Sequence, residues 1–229
     1  MRCHGRDVPE VKFCGLTRAH DAAVAASLHA NYAGVVFAGG PRLVDARGAR
    51  EVFGALDGTP VQRVGVFAGQ TPDEILRLAD ETVLHVIQLH GGATLEVVLT
   101  LRERFAGTLW AAVGIDGAVI PAALSELVEL SGRVDAVVLD TAVRGRSGGT
   151  GLTFDWETLA PGLRRVRRGV RIVVAGGLRP SNVVRAVLLL APDVVDVSSG
   201  VETAPGIKDP GLMRAFAAAV AAGARSREE

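Results

Sequence analysis

Two short apolar runs end in groups that can carry protons. Val11-Lys12-Phe13-Cys14-Gly15 closes on a thiol, and Asp135-Ala136-Val137-Val138-Leu139-Asp140 closes on a carboxyl. Two more runs have polar ends, Gln88-Leu89-His90-Gly91 and Asp196-Val197-Ser198-Ser199-Gly200. If these are parallel strands of one barrel, their ends meet at its C-terminal mouth. There a sulfur and a carboxylic acid can exchange protons with a small substrate.

Each of these residues also has a plain structural use. A lone Cys is commonly a small buried hydrophobe, and an Asp at a strand end is commonly a cap or turn residue. Chemistry is favoured at Cys14 because Gly15 follows at once and Lys12 shares its face of the strand, where an ammonium stabilises the thiolate. Beyond Asp140 lie Gly145, Gly148, Gly149 and Gly151, a stretch that reads as a lid over an acid or as an ordinary surface loop.

Gly176-Gly177 and Ser198-Ser199-Gly200 follow the seventh and eighth apolar runs. In barrels of alternating strands and helices, phosphate commonly binds between those two loops, where small residues let backbone N–H groups approach an anion. Arg42, after Gly39-Gly40-Pro41, is either a two-point fork for a substrate carboxylate or a surface Arg. His90 is a substrate contact or a hydrogen-bonded structural residue. His4, His20, His29 and His85 lack metal-ligand spacing, so no metal is expected.

The elements that must position these groups recur about every 25 to 30 residues, strand-length apolar runs alternating with helix-period segments. The pattern predicts strands over 11–15, 32–37, 61–68, 85–90, 108–115, 135–140, 171–177 and 194–200. Helices are expected near 18–30, 45–56, 72–80, 93–105, 119–131, 155–166, 180–190 and 210–222. Thr71-Pro72-Asp73-Glu74 is a capping box with Pro at the first helical position, and Asp209-Pro210 repeats the cap-then-Pro signal. This is the pattern of an α/β chain folded as a single-domain (β/α)₈ TIM barrel. A leader is expected at residues 1–10, the barrel over 11–223 and a frayed charged tail at 224–229.

Strand parity sorts the side chains. Val11 and Phe13, Ile87 and Leu89, Val137 and Leu139, and Val195 and Val197 form purely apolar sets suited to the helix-facing layer. The opposite parity then points inward, which brings Lys12, Cys14, Gln88, His90, Asp140, Asp196 and Ser198 to the barrel interior or its rim. Gln88, His90 and Asp196 are therefore candidate substrate contacts beside Cys14 and Asp140.

Composition excludes several classes. Apolar residues make up 48% of the 229, with aromatics only 4%, so the core is built from Val, Leu and Ala, as in a sheet covered on both faces. Net charge is zero, and the one basic cluster, Arg164, Arg165, Arg167 and Arg168, has no interleaved aromatics to stack on bases; no nucleic-acid partner is expected. No stretch approaches the roughly 20 apolar residues of a membrane span. Met1 to Asp7 lack the apolar run of a signal peptide, and Cys3 and Cys14 make no disulfide framework, so a reducing cytoplasm is expected.

Taken in order, the motifs resemble phosphoribosylanthranilate isomerase of tryptophan biosynthesis. They are Lys12-Phe13-Cys14-Gly15-Leu16-Thr17, Gln88-Leu89-His90-Gly91, Leu139-Asp140-Thr141, Gly148-Gly149-Thr150-Gly151 and Ala175-Gly176-Gly177-Leu178. Val195 to Glu202 and Pro205-Gly206-Ile207-Lys208-Asp209 complete the set. The resemblance implies a cofactor-free Amadori rearrangement of N-(5-phosphoribosyl)anthranilate to 1-(2-carboxyphenylamino)-1-deoxyribulose 5-phosphate. It implies that Asp140 is the general acid at the ring oxygen and that Cys14 is the general base at C2. By the same resemblance Arg42 holds the anthranilate carboxylate, Gly177, Ser199 and Gly200 hold phosphate, and Asp196 meets the sugar hydroxyls. Gly176 and Ser198 flank that phosphate set.

The partner implied is a small phosphosugar, taken by a monomer or homodimer. Two readings compete. The related aminoaldose isomerase of histidine biosynthesis, or a dual-substrate version, is similar but has an aspartate where this chain has Cys14. A non-catalytic phosphosugar-binding barrel would be expected to lose Cys14 or Asp140, and both are present.

Overall fold

The computed structural model describes residues 8–91, 93–115, 125, 129–130, 132–143, 146–147, 155–166 and 169–228. The Val-rich runs form eight barrel strands: β1 (Glu10–Phe13), β2 (Tyr32–Val36), β3 (Gln62–Phe67), β4 (Val86–Leu89), β5 (Thr108–Ile115), β6 (Ala136–Val143), β7 (Arg171–Val174) and β8 (Val194–Val197). All pair in parallel, in the order β5-β4-β3-β2-β1-β8-β7-β6, and β6 pairs back to β5 to close the cylinder.

Seven helices among the described residues surround the cylinder: α1 (Ala19–Ser27), α2 (Ala46–Gly54), α3 (Pro72–Glu81), α4 (Leu95–Arg104), α5 (Trp156–Val166), α6 (Val183–Leu190) and α7 (Pro210–Glu228). The helix expected over 119–131 lies mostly outside the described residues, and the lid glycines 145, 148, 149 and 151 lie wholly outside them.

Local chemistry accounts for the boundaries. Thr71 Oγ1 accepts from Glu74 N at 3.3 Å while Glu74 Oε2 accepts from Thr71 N at 2.8 Å, so the capping box starts α3 as its sequence predicts. Strands β7 and β8 stop short of their expected ends. After Val174 the chain enters Gly176 and Gly177 at φ 78 and 66, in the left-handed region that glycine occupies without strain. At the C-terminus, α7 runs through the segment expected to fray. Gly223 allows this: a Cβ there would already lie 3.3 Å from Val184 Cα, so α7 packs closely on α6, and Ala224 is fully buried.

The barrel has the expected two-layer core. Phe13, Ile87, Leu89, Val137, Leu139, Val195 and Val197 join the layer under the helices. Tyr32, Val64, Val86, Trp110, Ala136, Val138, Val173 and Val194 fill the interior. At the N-terminal pole Tyr32 Oη donates to Glu10 Oε2 at 2.9 Å, and Arg171 bonds both residues. That pole is a closed plug, which leaves the opposite mouth for chemistry.

Candidate active site

Lys12 organises the floor of the mouth. It is fully buried on β1, in register with Asp196 on β8. Its Nζ donates to Asp196 Oδ2 at 2.6 Å and, across the barrel, to Gln88 Oε1 at 2.9 Å. It lies 5.9 Å from the Trp110 ring centroid. Burial opposes the ammonium, but Asp196 and the neighbouring Cys14 sulfur outweigh it and hold Lys12 above its ordinary pKa. A buried cation of this kind persists only with such partners.

Cys14 follows β1 directly and is a free thiol, 8% exposed. Its backbone N donates to Val197 O at 2.9 Å, which ties the end of β1 to β8. Burial pushes the thiol above its ordinary pKa; Lys12 pulls it down without prevailing. This differs from the thiolate that Lys12 alone suggests, because desolvation is the larger effect in the closed site.

The sulfur has room because β2 carries Gly34: a Cβ there would lie 3.0 Å from Cys14 Sγ and 3.3 Å from Lys12 Cε. Gly34→Ala is therefore expected to displace the sulfur by a few tenths of an ångström and to lower kcat about tenfold. The melting temperature should stay close to wild type. Steady-state kinetics beside a thermal melt checks this, and unchanged kcat would show that the sulfur's position is not critical.

Asp140 lies within β6, in register with Gly114 of β5. Burial raises its pKa; His90 opposes this, Asp196 adds to it, and a backbone hydrogen bond from Thr141 and the charge of Lys12 oppose it. His90 Nε2 stands 3.6 Å from Asp140 Oδ2, close enough for charge to be felt but too long for a hydrogen bond. Gly176 backs the carboxyl: a Cβ there would fall 2.6 Å from Asp140 Oδ1 and 2.4 Å from Thr141 N.

Three buried polar atoms near this acid have no hydrogen-bond partner among the described residues: Asp196 Oδ1, His90 Nδ1 and Thr141 Oγ1. Buried polar groups are nearly always satisfied, so such a cluster suits a polyhydroxylated ligand.

The other side of the mouth suits an anion. The loop after β7 and the 3₁₀ turn Ser199–Val201 after β8 touch so closely that a Cβ on Gly200 would lie 1.8 Å from Leu178 O. Asn182 braces the first loop, donating through Nδ2 to Gly177 O at 3.0 Å. Gly176, Gly177, Ser198, Ser199 and Gly200 are all half-buried there.

Arg42 extends over Gly15. A Cβ on Gly15 would meet Arg42 Cδ at 2.5 Å and Ser198 Oγ at 2.8 Å, so only glycine lets the Arg stem lie beside the β8 turn. Its guanidinium makes a two-point bond to Glu202, Nε to Oε1 at 2.8 Å and Nη2 to Oε2 at 2.7 Å.

The residues named from sequence thus form linked groups. Lys12 joins Gln88 and Asp196, His90 faces Asp140, and Arg42 reaches Ser198 through Glu202 and Lys208. Glu202 and Lys208 were not foreseen as site residues. They sit on a small antiparallel hairpin, Glu202–Ala204 with Ile207–Lys208, whose pairing no periodicity reveals. Among the described residues no group of His, Cys, Asp and Glu could hold a metal, and no helix is long and apolar enough to cross a membrane.

Comparison with known proteins gives the family and the fold. Residues 11–219 match the family described as N-(5'phosphoribosyl)anthranilate (PRA) isomerase. A relative from Rubrobacter xylanophilus named N-(5'-phosphoribosyl)anthranilate isomerase is 43% identical over 211 residues, covering 92% of this chain and 98% of its own. The crystal structure of phosphoribosyl anthranilate isomerase from Thermotoga maritima superposes with a TM-score of 0.83 at 33% identity, covering 93% of this chain and 99% of that one. A second solved isomerase, in complex with reduced 1-(o-carboxyphenylamino)-1-deoxyribulose 5-phosphate, gives a TM-score of 0.80 at 31% identity, with coverage of 93% and 99%.

Proposed function

The chain belongs to the N-(5'-phosphoribosyl)anthranilate isomerase family, and from that premise we propose that Asp140 and Cys14 divide between them the proton transfers of the family's rearrangement. The protein is an isomerase of tryptophan biosynthesis that converts N-(5'-phosphoribosyl)anthranilate to 1-(o-carboxyphenylamino)-1-deoxyribulose 5-phosphate.

Asp140, carrying its proton, gives it to the furanose ring oxygen as the C1–O bond breaks. The anilino nitrogen supplies the electron pair that leaves a protonated Schiff base at C1. Cys14, as thiolate, then takes the C2 proton, and the C2–H electrons form the enol that tautomerises to the ketone. Only protons move, so the demand on the protein is one group that keeps a proton and one that can lose it.

The single observation that carries this assignment is the environment of Asp140. Burial beside Asp196 raises its proton affinity, and it stands at the mouth that also receives Cys14 and the Gly176–Gly177 and Ser198–Gly200 loops. The orphaned Asp196 Oδ1 supports a role at the sugar hydroxyls. Arg42 holds the anthranilate carboxylate, with Gln88 and His90 lining the floor and the two loops taking phosphate. The substrate is a small phosphosugar. We place the enzyme in the cytoplasm, where Cys14 stays reduced.

The test is to add purified protein to freshly made N-(5'-phosphoribosyl)anthranilate and follow the loss of its fluorescence. Rapid protein-dependent loss is the expected result, and binding without turnover would make the barrel a sensor. Turnover of the histidine-pathway aminoaldose in a parallel cuvette would widen the assignment to both pathways.

A further inference from the structure

Glu202 receives more donors than a surface carboxylate needs. Its Oε1 accepts from Arg42 Nε at 2.8 Å, from Lys208 Nζ at 2.6 Å and from Gly206 N at 3.3 Å, while Oε2 accepts from Arg42 Nη2 at 2.7 Å. The exposures are 4% for the Glu202 side chain, 0% for Lys208 and 17% for Arg42. Two basic side chains therefore share one buried carboxylate. Lys208 Nζ also reaches Ser198 O at 3.2 Å and Ser198 Oγ at 3.4 Å. A continuous polar chain thus runs Arg42–Glu202–Lys208–Ser198, from the anthranilate end of the site to the phosphate end. Burying such a triad is costly unless geometry at the site requires it.

A guanidinium offers its N–H donors on two edges. Glu202 occupies the Nε/Nη2 edge and so fixes the plane and reach of the group, leaving the Nη1 side for another acceptor. We infer that Glu202 and Lys208 are positioning residues: they hold Arg42 so that its unoccupied edge meets the substrate's ring carboxylate, and they tie its occupied edge to the phosphate-binding turn. The inference rests on the reading that Arg42 binds the anthranilate carboxylate, and it makes the hairpin a determinant of specificity for carboxylated substrates.

The experiment measures binding of two probes to the full chain by calorimetry. One is reduced 1-(o-carboxyphenylamino)-1-deoxyribulose 5-phosphate, and the other is its counterpart lacking the ring carboxylate. In Glu202→Gln the amide keeps the shape but breaks the fork. The carboxylated probe should bind about 10- to 100-fold more weakly, and the other probe should change less than about 3-fold. The loss in kcat/KM should appear mainly in KM.

Glu202→Asp keeps the charge but withdraws it by one methylene, and its preference should fall between wild type and Gln. Asp decides the matter if Gln fails to fold. Equal weakening of both probes, or an unchanged ratio in both variants, would overturn the inference. Arg42→Met separates the two levels. If probe discrimination survives that change, the Arg42 reading itself fails; if it is lost there but kept in Glu202→Gln and Glu202→Asp, only the positioning role fails.

Discussion

Asp140→Asn is expected to lower kcat by about 10²–10⁴-fold and, at neutral pH, to raise the melting temperature. The first effect follows from the chemistry. Asn keeps the shape of the carboxyl but has no labile proton for the ring oxygen, and a well-placed general acid commonly contributes a factor of that size.

The second effect follows from linkage. Burial, with Asp196 adding to it, raises the Asp140 pKa in the folded protein. The folded state therefore holds a proton that the unfolded chain releases more readily. Where the folded form binds more protons, stability falls as pH rises. The loss begins above the unfolded carboxyl's pKa and is complete above the folded one. At neutral pH wild type bears that penalty and the Asn variant does not. The stability advantage of Asn should shrink when both are melted in acid, where the carboxyl is protonated in both states. An inactive variant that is also less stable at pH 7 would mean the carboxyl is a structural anion, and the acid would have to be sought elsewhere.

The same carboxyl shows how far the residues alone could lead. Strand parity needs only a period of two, and it was enough to send Phe13, Leu89, Leu139 and Val197 outward and Lys12, Gln88 and Asp196 inward. It could not say that Lys12 would span the barrel to Gln88, because that contact depends on closure and on strand tilt. Nor could it set proton affinities. Lys12 beside Cys14 suggests a thiolate, yet the depth of the site reverses the sign for the resting protein.

The Glu202–Lys208 hairpin shows a different limit. Both residues lie in a short polar stretch with turn-forming Pro205-Gly206, where neither helical nor strand period exists to be read. Only the return of that hairpin under Arg42 gives them meaning. Glycines were the most informative single residues. Gly15, Gly34, Gly176 and Gly200 each stand where a Cβ would collide with a group of the mouth or with the loop packed beside it. In sequence Gly15 marks the end of a strand and Gly176 and Gly200 read as anion-binding loop residues, but none of these close contacts is visible there, and Gly34 within β2 gives no signal at all.

Cys14→Ala is expected to cost about 10²–10⁴-fold in kcat, and its pH profile is more diagnostic than its rate. Both reacting groups have raised proton affinities in the resting site, the thiol by burial against Lys12 and the carboxyl by burial with Asp196. The working form needs the sulfur without its proton and the carboxyl with one. That form has the same proton count as the thiol–carboxylate arrangement. With two required ionisations, kcat/KM in wild type is bell-shaped between two apparent pKa values. Below the lower value the sulfur is protonated and no base remains; above the upper value the carboxyl is ionised and no acid remains.

Each variant removes one side of the bell. In Cys14→Ala residual activity needs only protonated Asp140, so it should be flat in acid and fall with rising pH. In Asp140→Asn residual activity needs only the thiolate, so it should climb with pH and stay high in alkali. Fluorescence-monitored kcat/KM for the three proteins across the accessible pH range is the measurement. A bell that persists in Cys14→Ala would assign the base to another group.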